Sequence, residues 1–179
     1  LVLWAVLLGL GAMVIGPRVR TLVSMIREPL LLAFSTASSE AAYPKTLEQL
    51  ERFGVSPRIA SFVLPLGYSF NLDGSMMYCT FATLFIAQAY GIDLSGTQLV
   101  TLLLLLLVTS KGIAGVPRAS LVVLAATLPH FGIPDAGPLL VLAVDQFLDM
   151  GRSATNVVGN SIASSVVAKW EGELSDPQS

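Results

Sequence analysis

Residues 137–170 form a long apolar segment carrying five polar side chains at regular intervals: Asp145, Asp149, Arg152, Asn156 and Asn160. Successive residues of an α-helix are rotated by about 100°, so these five fall within an arc of about 80°. The rest of the circumference is mostly Leu, Val, Ala, Phe, Ile, Ser and Gly. The segment is long enough to cross a bilayer and has one charged face. A charged group at the centre of a bilayer costs about 3 kcal/mol even on lenient scales. The stripe must therefore face protein, water or a bound solute, and we read it as facing a solute.

The surrounding chain supports a membrane setting. Only 12% of its 179 residues are charged and 54% are hydrophobic. Soluble domains carry about twice that charge. The lipid bilayer is therefore the expected partner, and a net charge of −2 gives no reason to expect nucleic acid. Cys79 is the single cysteine, which excludes an intrachain disulfide framework and a cysteine-rich metal site. Residues 1–15 are apolar, lack the basic region of a signal peptide and do not start with Met. They read as the end of a transmembrane helix, and the chain as part of a longer protein whose N-terminal half is missing. An enzyme is not expected, because there is no nucleotide loop and no nucleophile–base pair in a recognisable setting.

Basic residues set the expected topology. Arg18 and Arg20 precede residues 21–51, and Arg52 and Arg58 follow them. If both flanks are cytoplasmic, residues 17–54 enter and leave on one side as a re-entrant hairpin. Its tip is the polar cluster Ser35–Glu40. Irregular backbone at membrane depth is tolerated only where protein buries it or it lines a cavity. Residues 57–92 read as one transmembrane helix interrupted at Asn71-Leu72-Asp73-Gly74-Ser75. Residues 97–132 are two apolar arms meeting at residues 110–120, flanked by loops without Lys or Arg: a second hairpin, from the opposite side. Residues 137–170 form the C-terminal transmembrane helix. The tail, residues 171–179, is polar, expected on the cytoplasmic side and expected to be disordered. The fold class expected is thus an all-α membrane protein with two opposed re-entrant hairpins and interrupted helices in an inverted repeat. Such interruptions are the best sequence pointer to a transporter binding site.

Four motifs in this order resemble the dicarboxylate/amino acid:cation symporters, the glutamate transporter superfamily, over about residues 1–170. Asn71-Leu72-Asp73-Gly74-Ser75 resembles that family's Asn-Met-Asp-Gly-Thr break, Ser38-Ser39 its serine-rich first tip, and Gly115-Val116-Pro117 its second tip. Residues 148–160 resemble its eighth helix. The resemblance implies a glutamate-transporter-like transport domain, trimeric in the full-length protein. It implies secondary active symport by alternating access, without a cofactor, in a bacterial inner membrane.

The resemblance also implies roles. Arg152, a planar permanent cation, reads the side-chain carboxylate of an acidic amino acid, and Asp149 pairs with its ammonium. Asn156, with hairpin-tip amides near Ser38, Ser39 and Val116, takes the α-carboxylate; Ser75 and Ser153 complete the solute set. Dicarboxylate carriers of the family generally lack this Asp and neutral amino acid carriers lack the Arg, so both together imply glutamate or aspartate. Gly67, Ser69, Asn71 and Asp73, with Asn156 and Asn160, are the cation set, and Gly67, Asn71 and Asp73 suit a monovalent cation. Sodium-coupled relatives carry Asp at the position of Asn160 and an uncharged residue at that of Lys111. Together with a protonatable Glu40, these departures resemble the bacterial proton–glutamate branch, with Glu40 and Asp73 as proton carriers. The alternatives are a C4-dicarboxylate carrier, a sodium-coupled amino acid symporter, or a proton-conducting channel or complex subunit using the stripe as a relay. For Asp149 and Arg152 the bland alternative is an i,i+3 ion pair that only holds helices together. Tyr68, Tyr78 and Trp170 read as packing or interfacial groups.

Overall fold

A computed structural model describes residues 2–109 and 119–177. Every regular element named here is helical. In chain order they are α1 (Val2–Ile15), α2 (Arg18–Met25), α3 (Arg27–Thr36), α4 (Tyr43–Phe53), α5 (Pro57–Phe70), α6 (Asp73–Ala89), α7 (Gly96–Thr109), α8 (Ala119–Thr127) and α9 (Leu139–Trp170). A 3-10 turn, Leu128–Phe131, follows α8. No helix among the described residues is both long and apolar enough to cross a membrane by itself. Helix α9 has the length, at 32 residues, but carries Asp145, Asp149, Arg152 and Lys169.

Helix α9 is the axis around which the chain packs: α1, α3, α4, α5 and α6 all lie against it. Two apolar clusters share its length. Its C-terminal half, through Val158, Ile162 and Ala168, joins Ile15, Leu22, Phe53 and Leu64. Its N-terminal end, through Val141, joins Cys79, Ile86, Leu106, Leu124 and Leu128. The leucine run divides: Leu102 and Leu106 are buried, whereas Leu103, Leu104 and Leu107 are exposed. That is the one-sided pattern of a helix packed along one stripe.

Local chemistry explains where the helices stop. Helix α3 ends at Ala37, which adopts φ 50°. This left-handed cap is costly for a residue with a Cβ. It brings Ser38 N–H onto the Ala33 carbonyl at 3.2 Å and turns the chain into the serine-rich tip. The next helix starts at Tyr43, with Pro44 in its first turn, three residues before the Thr46 start suggested by the sequence pattern. Helix α5 opens on Ser56-Pro57, where the Ser56 hydroxyl accepts from Ile59 N–H at 3.3 Å.

Residues 171–177 of the tail are ordered where its composition predicted disorder. Helix α4 is capped by Gly54 (φ 107°), and Gly172 (φ 72°) follows Glu171, the cap of α9. These left-handed glycines turn both chains outward side by side. Val55 and Leu174 then form an isolated antiparallel bridge. It is flanked by Ser56 N–H to the Glu173 carbonyl at 3.2 Å and Ser175 N–H to the Gly54 carbonyl at 2.9 Å. Charges reinforce it: Arg58 pairs with Glu173 and Arg18 with Asp176. Gly54 is doubly constrained, because a Cβ there would also meet the Ser175 backbone.

The Ser56 hydroxyl and then the Arg58 guanidinium hold the Glu173 carboxyl below its ordinary value. A depressed carboxyl strengthens its attachment above the ordinary carboxylate range and loses that contribution as pH falls through the lower folded value. Amide protection at residues 173–176 is therefore expected to be constant around neutral pH and to fall only in acid below that range. Hydrogen-exchange protection factors measured across pH check this, and loss of protection already near neutrality would contradict it.

Candidate functional site

The five stripe residues of α9 are all buried, including Arg152 at 8% and Asp149 at 3% exposure. Arg152, Asn156 and Asn160 face the point where α5 and α6 meet. The two residues between those helices, Asn71 (ψ 65°) and Leu72 (ψ 60°), leave helical geometry. The chain therefore presents free backbone groups beside α9. One is satisfied from α9 itself: Gly74 N–H donates to Asn156 Oδ1 at 2.9 Å. A helix start leaves its first N–H groups without intrahelical partners, and here a distant side chain caps one of them.

Arg152 and Asn156 converge on Ser75. Arg152 Nη1 donates to Ser75 Oγ at 3.0 Å and Asn156 Nδ2 to the same oxygen at 3.3 Å. With its oxygen accepting twice, the Ser75 hydroxyl has its proton left to donate. Arg152 Nε donates to Asp149 Oδ1 at 2.5 Å. The ion pair that sequence reasoning weighed as a purely structural alternative is thus formed. These contacts use two of the five donors of a guanidinium, and an ionised carboxylate has about four acceptor positions. Both groups therefore keep capacity for a solute. Ser153, next along the helix, is fully buried with an Oγ that has no hydrogen-bond partner among the described residues.

One turn below, Asn71 Nδ2 donates to Asn160 Oδ1 at 3.1 Å. The helix break and α9 approach this closely because each presents a glycine. A Cβ on Gly67 would collide with the Asn160 carboxamide, and one on Gly159 would sit 2.5 Å from Asp73 Oδ2. Gly67, Asn71, Asp73 and Asn160 are thus gathered in one place. The Asn160 Nδ2 is buried and has no partner among the described residues. Ser69 is not brought in: its hydroxyl bonds back to the Pro65 carbonyl at 3.4 Å, within its own helix.

The first tip reaches α9 beside these groups. Ala33 and Ala42, on either side of it, pack on Val157, the neighbour of Asn156. Ser38 donates to Glu40 Oε2 at 3.1 Å, and Ser39, which is fully buried, has a longer contact to the same oxygen at 3.5 Å. Glu40 itself is exposed. The expectations for Val116, Lys111 and the second tip lie outside the described residues.

Two contacts were not foreseen. Tyr78, read as a packing group, donates from its hydroxyl to Asp145 Oδ1 at 2.6 Å. Trp4 Nε1 donates to Thr155 Oγ1 at 2.9 Å, tying α1 to α9 beside Arg152. A buried indole N–H or phenol usually finds a partner, and that rule was the available signal for both. A groove of about 620 Å³ opens beside them, lined by Trp4, Phe81, Phe85, Phe147, Leu148 and Arg152 among others.

Comparison with known proteins follows the same outline. Residues 1–170 match the sequence pattern described as the sodium:dicarboxylate symporter family. The chain is 50% identical over 171 residues to the proton/sodium-glutamate symport protein of Geobacillus stearothermophilus, covering 96% of this chain and 41% of that one. It is 54% identical over 166 residues to the proton/glutamate-aspartate symporter of Escherichia coli strain K12, covering 93% and 38%. It is 49% identical over 170 residues to the C4-dicarboxylate transport protein of Rhodospirillum rubrum, covering 94% and 38%. The chain therefore spans about two fifths of the length of these relatives.

Proposed function

The chain belongs to the sodium:dicarboxylate symporter family, and on that premise we propose that it forms the solute-binding part of a symporter that imports glutamate or aspartate with protons. It is an all-helical piece of a transporter, not of an enzyme. In this reading residues 17–54 and 97–132 are opposed re-entrant hairpins of an inverted repeat. The full-length protein is a trimer in a bacterial inner membrane, with the C-terminus of this chain on the cytoplasmic side. Alternating access moves the solute site across the bilayer.

The observation that carries the substrate assignment is the buried cluster of Asp149, Arg152, Asn156 and Ser75. A buried ion pair is a poor source of stability, because desolvation offsets its attraction. Retained here, it supplies one group for each charge of an acidic amino acid: Arg152 for the distal carboxylate and Asp149 for the ammonium. Asn156, Ser153 and the tip serines Ser38 and Ser39 complete the cradle for the α-carboxylate. Proton coupling is supported by the neutral carboxamide of Asn160 where a cation site calls for a carboxylate. Glu40 and Asp73 are the proposed proton carriers.

The relative named as a C4-dicarboxylate transport protein favours one competing reading. Asp149 separates the two, since a dicarboxylate has no ammonium to meet it. In full-length protein, Asp149→Ser is expected to lower glutamate and aspartate uptake at least about tenfold, the loss of one charge-assisted contact. Succinate uptake should hold or rise. The assay is uptake of labelled glutamate, aspartate and succinate under separate proton and sodium gradients. Unchanged amino acid uptake in the variant removes the ammonium role. Uptake driven by sodium alone removes proton coupling.

A further inference from the structure

We infer that residues 173–176 are a strap that fastens the base of the first hairpin to α5 and α9, and that it stays fastened throughout the transport cycle. The inference rests on the hairpin reading of residues 17–54, but its first readout needs no transport.

The strap joins four helices at one end of the bundle. It leaves α9 through the Gly172 turn, where Glu173 N–H returns to the Ala168 carbonyl at 2.8 Å. It meets the end of α4 through Gly54, whose carbonyl accepts from both the N–H and the hydroxyl of Ser175, at 2.9 and 3.1 Å. It meets the start of α5 twice, since both Ser56 and Arg58 donate to the Glu173 carboxylate. It meets the start of α2 through Arg18, which donates to the Ser175 carbonyl at 3.1 Å and pairs with Asp176. Leu174 packs against the apolar cluster that holds Phe53 and Val55.

Single exposed ion pairs contribute little. This arrangement differs because backbone pairing, an apolar anchor and two charge pairs act on the same few residues. Each arm of the first hairpin, α2 and α4, is held by a different part of the strap. Opening the hairpin at its base would break several of these contacts together. The hairpin, α5 and α9 are thereby joined on the far side from the solute-reading residues, and these walls move as one piece.

The test uses the full-length protein in membranes. Val55 and Leu174 are a non-hydrogen-bonded antiparallel pair, with Cα atoms about 4.5 Å apart in such pairs, within disulfide range. Val55→Cys with Leu174→Cys should therefore cross-link on oxidation. Cys79, the chain's single native cysteine, is buried and does not compete. The cross-linked protein is expected to transport at the parent rate. Glu173→Gln with Asp176→Asn, and separately a stop after Glu171, are expected to raise amide exchange several-fold at the start of α2 and in the α4–α5 turn. Cross-linked protein that binds solute but no longer transports it would show that the strap must open. Unchanged exchange in the charge variant and the truncation would show that it fastens nothing. Because exchange is read without solute, a failure of the transport reading leaves this result interpretable.

Discussion

Arg152→Ala is expected to abolish measurable uptake of acidic solutes and to destabilise the protein at the same time. The substitution removes the guanidinium that donates to Asp149 and Ser75. Asp149, at 3% exposure, is left as a buried carboxylate without its partner. Breaking such a pair from one side costs about 3–5 kcal/mol. The loss of solute affinity adds to this, since a charge-assisted contact contributes about 1.5–3 kcal/mol and a bidentate one more. Lysine does not rescue it, because a point charge cannot serve two acceptors in one plane.

Stability and recognition can be separated. Asp149→Asn with Arg152→Met removes both charges, and replacing a buried pair with groups of similar size is often neutral for stability. The double variant should regain most of the thermal midpoint lost in Arg152→Ala and still take up neither glutamate nor aspartate. A double variant that folds and transports at the parent rate would falsify the solute role and leave the structural ion pair as the whole explanation.

What was legible in the sequence is the part written in local chemistry. The Asn71–Ser75 break, the Gly54 stop and the Ser56-Pro57 start are each marked by residues that dictate backbone geometry within a few positions. The stripe of α9 follows from helical periodicity alone. The contacts that escaped prediction join residues far apart in the chain. Tyr78 and Asp145 are 67 positions apart and Trp4 and Thr155 are 151 apart. The general rule gives a buried Tyr or Trp a partner, but nothing local says which residue it is. The tail failed for a different reason. Its polar composition argues for disorder, but order comes from two glycine turns that bring separate chain segments together. Gly67 and Gly159 belong to the same class: the need for each is visible only once the opposite helix is in place.

Asn160 carries the other large expected effect. Its Oδ1 accepts from Asn71, while its buried Nδ2 has no partner among the described residues. Asn160→Asp preserves the shape and the accepted hydrogen bond, and converts that nitrogen into a carboxylate oxygen at the helix break, one residue along from Gly159, which packs on Asp73 Oδ2. Without a cation, a further buried negative charge at this break is expected to cost several kcal/mol. The carboxylates at positions 73 and 160 then supply oxygens suited to a hard monovalent ion. Sodium should therefore restore stability by mass action, by about 2.7 kcal/mol at a concentration about 100-fold above its Kd. The measurement is the thermal midpoint of parent and variant in sodium and in choline. The variant should gain several degrees in sodium and the parent none. Equal midpoints for the variant in both salts would show that these groups do not hold a cation. A parent already stabilised by sodium would mean that the neutral Asn160 does not exclude it, and proton coupling would lose its structural support.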